Sequence, residues 1–154
     1  MMEYYQGSLR EFAEELLANG RGNGQMVEVA RLNDVVIEDA KQKGLKLCSE
    51  MIVVMQNTIF KYAHHPKSKK GANVPIDDYE LIEKALIDPL HIYEDPIQNE
   101  IIYVFTYPYD EKKMVKVVVH PNYKLKRRIT INAAKSWGIV VKEAFDNAQY
   151  RLIK

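Results

Sequence analysis

Apolar positions recur at helical spacing in Leu9, Phe12, Ala13, Leu16 and Leu17, and Ser8 with Glu11 supplies the S-x-x-E capping box that predicts where that helix starts. Asn19-Gly20 stops it, and the glycine- and asparagine-rich stretch to Gly24 predicts a connector. Beyond it, Met26 to Leu32 predicts a strand, Val35 to Ile37 a short extended piece after an Asn33-Asp34 turn, and Glu38 to Lys43 a short helix ended by Gly44. Part of Leu45 to Val54 predicts a buried strand. Thr58, Ile59, Tyr62 and Ala63 return to helical spacing, and Pro66 limits that helix to about His64. A further helix carries Tyr79, Ile82, Ala85 and Leu86, capped by Asp77 and Glu80 behind Pro75 and stopped by Pro89.

From there the pattern changes to period two. Glu100 to Tyr107 is apolar on both faces, as a covered central strand requires, and Met114 to His120 alternates around Val115, Val117 and Val119, with Tyr109 to Lys113 as the turn between them. Lys124 to Asn132 alternates throughout, with Leu125, Ile129 and Ile131 on one side and Lys124, Lys126, Arg128, Thr130 and Asn132 on the other. Val141, Ala144, Phe145, Ala148 and Leu152 predict a closing helix, with Ile139 to Lys142 extended as the alternative. The expected fold class is α+β, with N-terminal helices packed on an antiparallel β-meander. Residues 1–24 form a helix and connector, and residues 25–154 form the domain proper.

A chain of 154 residues with 47% hydrophobic content fits one domain with a substantial core. Met1 to Arg10 shows no basic segment leading into an apolar run, and the longest apolar run, Met51 to Met55, is far too short to span a bilayer, so a cytoplasmic protein without a membrane partner is expected. Cys48 is the only cysteine and lies in an apolar neighbourhood, where a buried thiol is the ordinary occupant. Formal net charge is +1, so attraction to a polyanion must come from the placement of charges.

Two segments place them. Lys61 to Lys70 carries Lys61, Lys67, Lys69 and Lys70 and no acid, a local charge of +4, beside His64 and His65. Imidazoles at a helix end next to ammonium groups combine proton transfer near neutral pH with phosphate attraction, which is what metal-independent cleavage of RNA through its 2′-hydroxyl needs. A lysine-rich loop is equally an ordinary solvated surface. Lys124 to Asn132 is also +4, from Lys124, Lys126, Arg127 and Arg128. On its polar side, Arg128, Thr130 and Asn132 could grip a phosphate together, or the lysines and arginines could defend an exposed edge. The four histidines lack zinc-site spacing and no C-x-x-C occurs, so neither a metal nor a cofactor is expected. Most of the ten tyrosines, which include Tyr103, Tyr107, Tyr109 and Tyr123 around the meander, should serve the core or strand pairs, although one or two could stack on bases.

From Met26 to Asn132 the order of features resembles the phage-encoded nucleases grouped with barnase, EndoU, colicin-type tRNases and RelE. The likeness lies in V-A-R-L-N-D-V-V-I, in I-F-K-Y-A-H-H-P-K, in Y-E-L-I-E-K-A-L-I-D-P and in R-R-I-T-I-N. It implies a ribonuclease-like helix-plus-meander fold. His65 or His64 would then be the general acid or base, Thr130 the hydroxyl donor, and Arg128 with Lys61 or Lys67 the phosphate clamp, with Lys70, Lys126 and Asn132 as further RNA contacts. The implied activity is that of a phage or toxin-type endoribonuclease acting on RNA, with an inhibitor or another phage protein as a further partner. The alternative is a non-catalytic RNA- or protein-binding module of the same fold.

Overall fold

A computed structural model describes residues 3–64, 73–126, 129–146 and 149–154, with His64 described by its backbone alone. Helix α1, Leu9–Asn19, starts as expected: Ser8 Oγ accepts the Glu11 amide at 3.1 Å, and Glu11 Oε1 accepts the Ser8 amide at 3.0 Å. Gly20 closes it in the left-handed region (φ 71°), donating to Leu16 O. Leu9, Phe12, Ala13 and Leu16 are buried on one stripe.

Strand β1 (Glu3–Tyr4) lies parallel to β2 (Gln25–Arg31). Helix α2 spans Asp34–Gln42, so Val35 to Ile37 is helical and not extended. The reason is Asn33, whose Oδ1 accepts the Val35 amide at 3.0 Å and caps a helix instead of making a turn. Strand β3 (Met51–Met55) runs directly into helix α3 (Gln56–His64). A 3-10 turn at Ile76–Asp78 then leads into α4 (Glu80–Ile87). The expected Asp77–Glu80 cap does not form: Asp77 lies within the turn, where Arg10 binds its carbonyl and its carboxylate.

Four strands follow in sequence, β4 (His91–Asp95), β5 (Glu100–Thr106), β6 (Lys113–Lys124) and β7 (Thr130–Val141), each antiparallel to the next. Lys124 to Asn132 is therefore not one strand. Lys124 ends β6, Thr130 opposite it opens β7, and Leu125 N–H to Ile129 O at 2.7 Å closes the hairpin between them. Its alternation belongs to two strand ends and their connection. The closing helix is likewise replaced, because Ile139 to Val141 stays in β7, a 3-10 turn covers Lys142–Phe145, and β8 (Arg151–Leu152) pairs with β4.

The eight strands among the described residues form one mixed sheet, in the order β1-β2-β3-β7-β6-β5-β4-β8, with β3 parallel to β7. The pairing of β3 with β7 joins the N-terminal elements to the later antiparallel strands. One face of the sheet packs against the α-helices in the main core, which holds Phe12, Ile59, Tyr79, Leu86, Tyr103, Val117 and Trp137; α1 is part of that core. The opposite face carries two smaller clusters. Met26, Val53, Met55, Ile131 and Ala133 form one, and Ile102, Val104, Met114 and Val118 the other. Among the described residues, no α-helical side chain joins either cluster, and no helix is long and apolar enough to cross a membrane.

An ion cluster fastens the C-terminal strand. Arg151 pairs with Asp39 Oδ2 at 2.8 Å and Glu94 Oε1 at 2.7 Å, and Lys43 pairs with the same two carboxylates. Burial works to raise both acids, but hydrogen bonds from Arg151 and Lys43 outweigh it and hold Asp39 and Glu94 below the usual carboxylate range.

Candidate nucleic-acid interface

Several predicted site residues, His65, Lys67, Lys70 and Arg128, lie outside the described residues, as do Lys69 and Arg127. His64 is the last residue of α3. Lys61 is exposed on that helix, its ammonium 5.4 Å from the centre of the Tyr62 ring. Lys126 is exposed in the β6–β7 connection, and Thr130 is half-buried opposite Lys124.

The structure holds the end of α3 away from Thr130. Tyr62, two residues before His64, packs its ring 5.3 Å from the ring of Trp137. Trp137 lies seven residues after Thr130 on β7, about 20 Å along a strand that rises some 3.3 Å per residue and contains one bulge. The two segments thus meet opposite halves of the same strand.

Asn132 is fully buried, not a surface ligand. Its Nδ2 donates to Ser49 O at 2.9 Å and Met51 O at 3.1 Å, and its Oδ1 accepts the Asn122 amide at 3.1 Å. Cys48 Sγ lies 3.6 Å from the same oxygen. Asn122 holds a left-handed backbone (φ 52°), and its own amide group ties down Cys48 N–H and Lys46 O. Asn132 is consumed by this work because β3 lies beside it, paired Ile52 to Asn132, and the approach to β3 crosses over its side chain. Cys48, expected to be buried, belongs to that approach and is exposed.

The grouping that the sequence pattern did not bring out lies on the helix-free face. Ile131 and Ala133 point to that face, so their cross-strand partners Tyr123 and His120 do too. The Tyr123 and His120 rings are 5.8 Å apart, and the Lys135 ammonium sits 4.0 Å from the centre of the Tyr123 ring. All three side chains are half-buried. Lys135 stands at an irregularity where β6 steps from Val118 to Val119 while β7 steps from Ser136 to Ala134. The alternation Ile131, Ala133, Lys135 was the available signal for its side. Lys116 shares the face by its alternation with Met114 and Val118. Three acids, Glu28, Asp95 and Glu100, accompany these lysines: Glu28 pairs across from Val53, Glu100 pairs with Asp95 and alternates with Ile102, and Asp95 lies close enough to Lys116 for its carboxyl to be lowered by that charge, after the larger effect of Gln149.

A cation over one ring, a second ring beside it and exposed lysines at the hairpin rim can hold a phosphate chain and stack unpaired bases. Comparison with protein-family models, curated proteins and solved structures found no match to this chain.

Proposed function

We propose that this chain is an RNA-binding module, and that RNA lies across the helix-free face of the β6–β7 hairpin. The observation that carries the proposal is the Lys135–Tyr123–His120 grouping. Tyr123 offers a flat surface for a base, Lys135 and Lys116 supply positive charge on the same face, and Lys124 and Lys126 extend that charge to the rim. The resemblance of sequence features to the barnase, EndoU, colicin and RelE group is the reason for choosing RNA as the polyanion.

Cleavage is the further step implied by that likeness. It would require His64 or His65 to share a phosphodiester with Thr130, and the anchoring of α3 beside Trp137 favours binding without that chemistry. Thr130 is then a rim hydroxyl, not a reacting group.

Fluorescence anisotropy of a labelled RNA against salt, in excess chelator, tests the reading. Two lysines on this face, Lys135 and Lys116, predict a log–log slope of about −1.4, from roughly 0.7 per contact on a single strand, and rim contacts by Lys124 and Lys126 would steepen it towards about −3. A flat response contradicts binding by this face. The same samples run on a gel report cleavage: RNA cut to 2′,3′-cyclic phosphate ends, with the cut lost on replacing both His64 and His65 by Ala, would establish the nuclease instead.

A further inference from the structure

The connector between α1 and β2 carries two Asn-Gly pairs, Asn19-Gly20 and Asn23-Gly24. Such a pair holds an electrophile and a nucleophile together: the glycine amide nitrogen can close on the asparagine carboxamide, and no glycine side chain obstructs the approach. Their neighbours along the chain are alike, A-N-G-R and G-N-G-Q, so the fold decides how each pair behaves.

At the first pair the nucleophile is taken. Asn19 is the last residue of α1, and the Gly20 N–H donates to Leu16 O at 3.0 Å, so attack requires the final helical turn to open. At the second pair it is free, since the Gly24 N–H has no hydrogen-bond partner among the described residues. The Asn23 carboxamide is also prepared. Its Oδ1 accepts the Gln25 N–H at 3.0 Å, which folds the group back over its own backbone, and Gln56 Nε2 at the start of α3 donates to the same oxygen. Gln56 Oε1 accepts the Asn23 N–H at 3.2 Å, completing the clasp, and Asn23 Nδ2 donates to Gln25 Oε1 at 3.0 Å. Two donors on Oδ1 draw electrons from Cγ and stabilise the negative charge that forms on the oxygen when Cγ becomes tetrahedral.

We propose that Asn23 is a site of spontaneous self-modification, with Gly24 as the nucleophile and Gln56 as the activating donor, and that Asn19 is spared. The Gly24 nitrogen loses its proton to solvent and bonds to Asn23 Cγ. The Cγ–Nδ2 bond breaks, and ammonia leaves with a proton from water. Water then opens the resulting cyclic imide at either carbonyl, giving aspartate or isoaspartate. The net change is one water in and one ammonia out, with no oxidation. Both products lose the Nδ2 donation to Gln25 and place a carboxylate beside Gln56, and isoaspartate also lengthens the backbone by one methylene. The clasp on α3 therefore loosens as the protein ages. This chemistry is independent of RNA binding.

The test incubates the full chain in mildly alkaline buffer, folded and in urea, and follows amide-to-acid conversion by peptide mass spectrometry. Tryptic cleavage after Arg21 puts the two asparagines on separate peptides. In the folded chain Asn23 should convert at least about fivefold faster than Asn19, the worth of one ordinary hydrogen bond holding Gly20. In urea the two should convert at closely similar rates. Gln56→Met, which keeps the bulk and removes the donor, should slow Asn23 by about fivefold in the folded chain and leave Asn19 alone. Comparable rates in the folded wild-type chain overturn the proposal, as does a preference for Asn23 that persists in urea. A Gln56→Met variant in which Asn23 converts as fast or faster also overturns it, because the clasp would then restrain the carboxamide instead of activating it.

Discussion

Replacing Asn132 by leucine separates a structural amide from a phosphate ligand. The side chain is fully buried and satisfies two backbone carbonyls, Ser49 O and Met51 O, and one backbone N–H, that of Asn122. Leucine leaves all three without that partner. Each unsatisfied buried group costs about 1–3 kcal/mol, and because neighbouring groups relax together the total should fall near 3–5 kcal/mol. That is a large share of the roughly 5–15 kcal/mol that holds a domain folded. Urea denaturation followed by tyrosine and tryptophan fluorescence should show a much lower midpoint with little change in slope. RNA affinity, measured where the variant is still folded, should stay within about twofold of wild type, a free-energy change well under 1 kcal/mol. Unchanged stability with strongly weakened RNA binding would refute this reasoning and return Asn132 to the surface role its strand pattern suggests.

Tyr123→Ala should weaken RNA binding by about 1–3 kcal/mol, the usual worth of one stacked base, and an anisotropy titration reads the change directly. Lys135→Ala should lower affinity and reduce the salt slope by about 0.7, whereas Lys43→Ala, in the ion cluster, should leave the slope alone. Asp39 and Glu94 have folded pKa values below their unfolded ones, so their contribution is complete above the ordinary carboxylate range and is lost as pH falls through and below it. Thermal denaturation against pH should therefore show a fall in stability on acidification that is smaller in Arg151→Ala. Gly20→Ala should cost about 1 kcal/mol through its left-handed backbone alone, since a methyl group there meets nothing within 4 Å; calorimetry checks it.

Local chemistry made some elements legible in the sequence and hid others. Helix α1 was readable because its capping box and apolar stripe lie within twelve residues and need no distant partner. Helix α2 was not, because Val35, Val36 and Ile37 favour extended backbone, and Asn33 can begin a turn or cap a helix with the same side-chain oxygen. Strand β4 escaped because Glu94 and Asp95 look like surface positions. Glu94 is tolerated in the interior only by Lys43 and Arg151, which approach from far along the chain.

At the candidate site the same division holds. The positive charge of Lys124 and Lys126 was visible, while the burial of Asn132 depends on the parallel pairing of β3 with β7, which alternation within one segment cannot reveal. Lys135 and Tyr123 are twelve residues apart and meet only because β6 and β7 form a hairpin.

The most direct measurement is a ¹H–¹⁵N spectrum of the chain titrated with a short unstructured RNA. Binding by the helix-free face predicts shifts concentrated in residues 116–124 and 131–136, with α1 and α2 undisturbed. Shifts centred on the helical side, or none at RNA concentrations that saturate other single-strand binders, would contradict it.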